Sequence, residues 1–396
     1  MGDPLFSEGF DLGVVLIVLV KSLIGFTFVM VGVIFMIWFE RKVIADMQNR
    51  IGPNRAGPFG LLQTLADGIK LIFKEDLRPD RSDRLVFRLA PYLSVAPAFL
   101  TFCIVPIGGV FTGGKNGAIH LFGHDTYLQV ADPPIGVLFL LAMSSIGVYG
   151  VMLAGWASGS KYPLLGAVRA SAQMVSYEAA LGLSVVTVIL MSGSLSTHDI
   201  VATQAGRFLD CNLVTTALVP FVIFSIAACA ELNRPPFDLV EAEQELVGGF
   251  HTEYSSIRFG MFYLAEFMNT ITMSAIIVTL FLGGPSGPVL VGPEQIWPLF
   301  WFTLKLLGFL FAFVWLRATL PRFRYDQLMD LGWKGLIPAS LVWLILVAVI
   351  RVGNDQDWPR AVGPFVGLAV ATTVALLLTG ALRTSETRRR EAAEVN

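Results

Sequence analysis

The sequence predicts an all-α polytopic membrane protein of about nine transmembrane helices, and three observations carry that prediction. Of the 396 residues, 55% are hydrophobic and 15% charged, with a mean hydropathy of +0.68, whereas soluble domains are about a quarter charged. Apolar runs near the roughly 20 residues that cross a hydrocarbon core recur nine times. Lys and Arg gather in alternate connecting segments, 22 of the 28 on one side and four on the other. By the positive-inside rule this places the N-terminus outside and the C-terminus in the cytoplasm.

The first run, 12–38, has no basic segment before it and is too long for a signal-peptide core, so it is expected to stay as an anchor. After it, Gly52-Pro53-Asn54 and Gly57-Pro58 mark turns. Leu62, Leu65, Ile69 and Ile72 then recur at helical spacing opposite Gln63, Asp67, Lys70 and Lys74. That periodicity predicts an amphipathic helix over 58–75, either lying at the membrane interface or capping other spans. Further spans are expected at 90–111, 134–155, 170–193, 213–231, 260–283, 297–316, 336–352 and 361–382, with an acidic cytoplasmic loop over 232–259. The chain reads as one membrane domain, 1–396, with no visible internal repeat.

A net charge of −2 provides no basic field for nucleic acid, which excludes that class of partner. Cys103, Cys211 and Cys229 are far apart with no CxxC pair, so neither an iron–sulfur cluster nor a Cys-based zinc site is expected from this chain alone. The run from Gly109 to Asn116 is close to a phosphate-binding loop, but Asn116 stands where Ser or Thr would hold Mg²⁺. His120 and His124 are spaced i, i+4 without the Glu of a metalloprotease motif, and no metal is expected there.

Charges inside apolar spans cost about 2.5–3.5 kcal/mol on insertion scales, so each is a functional candidate. Five occur: Lys21, Glu178, Glu231, Glu266 and Lys305. For the two lysines, whose stems are long, a structural ion pair or snorkelling competes with function. A carboxyl group held in low dielectric suits loading and release of protons near neutral pH. The strongest anomaly is the stretch from Glu231 to Tyr254, where Asp238, Glu241, Glu243, Glu245 and Glu253 interrupt an otherwise basic face. Phe237, Leu239, Val240, Leu246, Val247 and Phe250 interleave with those acids, which suits a folded, partly buried segment.

Several longer motifs carry a family resemblance. They are Glu40-Arg41-Lys42, the run from Arg50 through Ile-Gly-Pro-Asn-Arg-Ala-Gly-Pro-Phe-Gly-Leu-Leu to Gln63, Ser176-Tyr177-Glu178, the run from Glu231 through Leu-Asn-Arg-Pro-Pro-Phe to Asp238, and Pro321-Arg-Phe-Arg-Tyr-Asp-Gln327. Through these the chain, over 12–352, resembles the membrane subunit of respiratory complex I that joins the redox arm to the proton-pumping arm, the H subunit of bacteria and subunit 1 of mitochondria. The resemblance implies a subunit of a proton-translocating NADH:quinone oxidoreductase without a redox centre of its own. Its substrate would be ubiquinone or menaquinone, and no flavin or iron–sulfur cluster would be bound.

The resemblance further implies a quinone path between the first and sixth spans and the amphipathic helix. Arg41, Arg50, Asp67 and Lys70 would surround the headgroup, with Phe59 and Phe237 as apolar lining. Glu178, Glu231, Asp238, Glu241, Glu243, Glu245 and Glu253 would form a proton or coupling channel, with Arg169 beside it. Implied partners are the quinone-site and iron–sulfur subunits of the peripheral arm, small membrane subunits, antiporter-like subunits and membrane lipid, in a bacterial cell membrane. Two departures stand out: the ninth span with its Arg388-Arg389-Arg390 tail, and Leu232 where the family has Thr. The alternatives are the anchor of a membrane-bound hydrogenase and an autonomous secondary ion transporter; only the latter would move ions alone.

Overall fold

The computed structural model describes residues 3–6, 9, 11–111, 115–206, 208–239, 246–289 and 293–356, together with Val366, Ala369, Thr372 and Thr373. In chain order the elements are α1 (Leu12–Met47), α2 (Gln63–Phe73), α3 (Arg84–Phe102), a hairpin of β1 (Ala118–Leu121) and β2 (His124–Tyr127), and α4 (Gly136–Ala157). Then come α5 (Lys161–Ser192), two short helices α6 (Thr197–Thr203) and α7 (Asn212–Thr215), α8 (Val219–Glu231), α9 (Ser256–Phe281) and α10 (Ile296–Thr319). The series closes with α11 (Tyr325–Asp330), a π-helical turn Leu331–Leu336 and α12 (Ile337–Asp355). The protein is thus all-α, as expected, and among the described residues the hairpin is its only sheet.

Among the described residues seven helices are long and apolar enough to cross a membrane: α1, α3, α4, α5, α9, α10 and the continuous run from Tyr325 to Asp355. The run expected over 213–231 differs. Ala217 and Leu218 sit at φ 56° and 69°, and Pro220 opens the next helix, so only the 13 residues of α8 are left as one rod. At 1.5 Å per residue that is about 20 Å, short of the ~30 Å hydrocarbon core. The run expected over 90–111 likewise ends as helix at Phe102 and continues extended towards the hairpin. In contrast α1 continues nine residues past the apolar run that ends at 38, and Glu40 in this extension pairs with two arginines. The ninth span, 361–382, lies outside the described residues except for four helical positions.

α9 is the central post. Every residue from Thr270 to Phe281 is buried, so this helix meets protein on all sides. Its hydroxyls are satisfied by backbone carbonyls, Ser274 donating to that of Thr270 at 2.8 Å, Thr279 to that of Ala275 at 2.8 Å and Thr272 to that of Ala98 on α3 at 3.3 Å, as a dry interior requires. α3 packs most closely beside it, with α1 and α10 next, while α4 lies between α3 and α5. At the α4–α5 crossing a Cβ on Gly155 would lie 2.3 Å from that of Ala167, so only glycine permits the approach. Loops alternate between two faces, one carrying the hairpin and one carrying α2.

On the hairpin face both lysines flagged in the sequence have structural partners. Lys21 is buried, pairing with Asp3 at 2.7 Å and donating to Thr126 Oγ1 at 2.9 Å. Lys305 donates to the carbonyls of Leu282, Gly284 and Ser286 at 2.7, 2.9 and 2.8 Å, capping the end of α9. Here too Asp132, between β2 and α4, accepts from Ser196 Oγ at 2.7 Å while its Oδ2 is buried without a partner among the described residues.

Removing one member of a buried ion pair typically costs about 3–5 kcal/mol. Lys21→Met should therefore lower the melting temperature of the purified assembly, and Asp3→Asn with Lys21→Met should lower it less than Lys21→Met alone. Burial pushes the Asp132 carboxyl above the usual carboxylate range, against the opposing Ser196 hydrogen bond. A raised acid contributes stability that is fully present below its unfolded value and lost as pH rises through the folded one. Asp132→Asn should accordingly raise the neutral-pH melting temperature and flatten its dependence between acidic and neutral pH; an unchanged dependence would exclude this group as its source.

Candidate functional site

α2 stands off from the bundle. It buries none of its residues, and its apolar face leaves Leu65, Ile69 and Ile72 about half open or more. Tethers act near its two ends: Thr64 Oγ1 donates to the Ile34 carbonyl at 3.2 Å, and Ser256 Oγ to the Leu71 carbonyl at 3.0 Å. The preceding turn is fixed by Gly60, at φ +78°, where a Cβ would lie 2.4 Å from the Pro53 carbonyl, and by Trp38 Nε1 donating to the Phe59 carbonyl at 2.9 Å. A helix held at its ends over a groove leaves space beneath. Between α1, α2 and α9 lies a cavity of about 930 Å³, walled by side chains such as Val33, Ile37, Leu65, Ile69, Leu264 and Phe267.

Polar groups enter that apolar cavity in two places. Arg41 pairs with Asp67 at 2.7 Å, with Lys70 3.8 Å from the same carboxylate. Glu40 and Arg317 line it too and belong to a buried cluster. Arg234, in the turn after α8, reaches Glu40 at 2.8 Å and Glu266 on α9 at 3.1 Å; Arg317 on α10 pairs with the other Glu40 oxygen. The Arg234 guanidinium lies 4.5 Å from the Phe267 ring centroid. Burial works against this charge, but the carboxylates of Glu40 and Glu266 outweigh it and hold the guanidinium above its usual value. Four helices or turns thus meet through two acids and two bases.

A second void, about 100 Å³, adjoins this cluster and is lined by Glu266, Asn269, Asn233, Ser94 and Glu231. Glu231 is buried; Ser144 Oγ donates to its Oε1, and among the described residues its Oε2 has no partner. The next residue on α4, Ser145, donates to Glu178 on α5. Gln173 locks the turn behind Glu231, its amide donating to the carbonyls of Ala230 and Phe237 at 2.7 and 2.9 Å. Asp238 is clasped by Arg322 at 2.8 Å.

The structure therefore brings Arg41, Asp67 and Lys70 together at the large cavity, and Glu178 and Glu231 together through adjacent serines. Three residues expected on the quinone path, Arg50 at the headgroup and Phe59 and Phe237 as apolar lining, are not among the cavity's lining. Arg50 is exposed beyond the end of α1, and Phe59 is 72% exposed in the turn before α2. Phe237 is buried in the core, its ring centroid 5.4 Å from that of Tyr177 and 5.5 Å from that of Phe323. Arg169 and Glu253 are half-buried, on α5 and in the turn before α9. Glu241, Glu243 and Glu245 lie outside the described residues. Sequence reasoning passed over Ser144, Ser145, Gln173 and Arg317 as site residues. Serine in an apolar run gives no signal, but Arg317, at the end of one, could have been flagged as a partner for Glu40.

Residues 20–348 match the family described as NADH dehydrogenase. Over 390 residues the chain is 51% identical to the NADH-quinone oxidoreductase H subunit of Frankia alni, covering 96% of this chain and 84% of that one. The chain belongs to this family of complex I membrane subunits. The corresponding H subunit of Frankia casuarinae is 52% identical over 375 residues, covering 93% of this chain and 80% of its own. That of Streptomyces avermitilis is 48% identical over 367 residues, covering 91% and 79%. The family match ends at 348, before the ninth apolar run.

Arg234→Gln should remove the cation that Glu40 and Glu266 share, leaving Arg317 on Glu40, at a cost of about 3–5 kcal/mol. Thermal denaturation of the purified assembly should register this loss. Arg234→Lys should not restore it, since an ammonium group cannot reproduce the planar fork between two carboxylates.

Proposed function

We propose that the chain is the membrane subunit of a bacterial proton-translocating NADH:quinone oxidoreductase that forms the quinone portal and the outer part of the quinone chamber. The supporting observation is the 930 Å³ cavity beneath α2, apolar along its walls and charged at two places. An isoprenoid tail suits the walls, and a quinone headgroup, which only accepts hydrogen bonds, suits Arg41, Lys70 and Arg317. Electrons would reach the quinone from partner subunits, since Cys103, Cys211 and Cys229 are too far apart in sequence to suggest a cluster of the chain's own. Those partners are other complex I subunits, the peripheral arm docking on the α2 face, which is cytoplasmic, with the N-terminus outside.

Reduction to quinol takes up two electrons and two protons, so charge and hydration change where the headgroup sits. Glu40, Arg234 and Glu266 form a network that responds to such a change, since their balance is set at short range in low dielectric. The small void then links Glu266 to Glu231, and the paired serines bring Glu178 alongside. Along this route the chain passes the coupling signal, or protons, towards the antiporter-like subunits. Asp238, Glu253 and the acids at 241, 243 and 245 extend the route along the cytoplasmic face, with Arg169 beside it.

Glu178→Gln and Glu231→Gln should each assemble and each reduce NADH-driven proton pumping in proteoliposomes by at least tenfold. Wild-type pumping together with wild-type quinone reductase rates in both variants would sink the coupling role.

A further inference from the structure

Ser145 Oγ carries one hydrogen and lies within reach of two acceptors, the Glu178 carboxyl and the Leu141 carbonyl, the latter at 3.1 Å. When Glu178 is a carboxylate both neighbours only accept, and the single hydrogen can serve one of them well. When Glu178 is protonated, its own O–H can donate to Ser145 Oγ, and the serine hydrogen is released to the Leu141 carbonyl. Every group is then satisfied. The change consumes one proton, taken up by Glu178, and reverses one O–H···O bond while forming another.

Ser144 is arranged differently. Its hydroxyl meets Glu231 Oε1, and among the described residues no backbone carbonyl competes for it. The other Glu231 oxygen is unpartnered and buried on a residue only 3% exposed, which borders the ~100 Å³ void. That volume admits several waters, each needing about 10–15 Å³ on the same measure. Adjacent residues on a helix point about 100° apart. One turn of α4 therefore serves two carboxyl groups on two different helices, α5 and α8.

We propose that Ser144 and Ser145 are positioning residues for Glu231 and Glu178, with Ser144 a fixed donor and Ser145 a two-position hydroxyl whose partner reports whether Glu178 carries a proton. This rests on the coupling role assigned to the two glutamates. It adds a local read-out: protonation of Glu178 tightens hydrogen bonding within α4, and the helix that also touches Glu231 senses it.

The test uses the complete complex reconstituted in liposomes, with S145A, S145T, S144A and E178Q compared. Losing one hydrogen bond to a charged group changes proton occupancy about tenfold, so S145A should displace the pH profile of NADH-driven proton uptake by about one unit. S145T, which keeps the hydroxyl, should restore the wild-type profile. In infrared difference spectra the carboxyl C=O band that E178Q deletes should change frequency in S145A and not in S144A. If S145A fails to assemble, S145C supplies a near-isosteric, weakly donating replacement with the same expected displacement. A wild-type profile and band in S145A or S145C, with pumping abolished by E178Q, would overturn the proposal and leave the coupling role standing. Wild-type pumping in E178Q would overturn both.

Discussion

Arg234 sits where the fold converges. Its guanidinium is buried between Glu40 of α1 and Glu266 of α9, while Arg317 of α10 holds the outer oxygen of the same Glu40. A single charge buried there would be prohibitive, and two pairs sharing one acid are stable only if every partner keeps its place. The position of α1 relative to α9 and α10 is therefore fixed at the α2 face, and the cavity beneath α2 inherits that spacing. The stability of the bundle and the shape of the cavity draw on the same four side chains.

Elsewhere the bilayer's intolerance of unpaired polar groups explains features that the hydrophobic pattern does not. Lys305 caps three carbonyls where α9 ends. The Gln204 side chain receives the amides of Asn212 and Gly283 at 3.1 and 3.0 Å and donates to the Thr279 carbonyl at 3.1 Å, closing the broken stretch before α8. These groups let the chain interrupt its helices without exposing backbone to lipid. The unpartnered oxygens of Asp132 and Glu231 stand out against that background.

Much of this was legible in the sequence because it depends on local periodicity. Helical spacing of Leu65, Ile69 and Ile72 marked α2, and the apolar runs marked the long helices. The intramembrane glutamates announced themselves by cost alone. What could not be read were pairings between distant segments: Glu40 meets a residue 277 positions away, and nothing local marks Ser144 or Ser145 among the other serines. The break at Ala217 and Leu218 was hidden for a different reason. Neither residue favours positive φ, so tertiary contacts rather than propensity impose it. The core position of Phe237 was hidden in the same way, since an aromatic side chain beside acids is equally at home lining a path or filling an interior.

The burial of α9 from Thr270 to Phe281 bears on how the protein is made. During synthesis a helix enters the membrane according to its own affinity for lipid, and α9, with Glu266, Asn269 and its line of hydroxyls, is less apolar than α1. Its permanent surroundings are not lipid but α1 and α3, made before it, and α10, made after it. Newly inserted α9 must therefore find a vacant slot in a half-built bundle and wait for α10 to close the last side. Biogenesis is then exposed during that interval, when a helix suited to protein neighbours is still partly facing acyl chains.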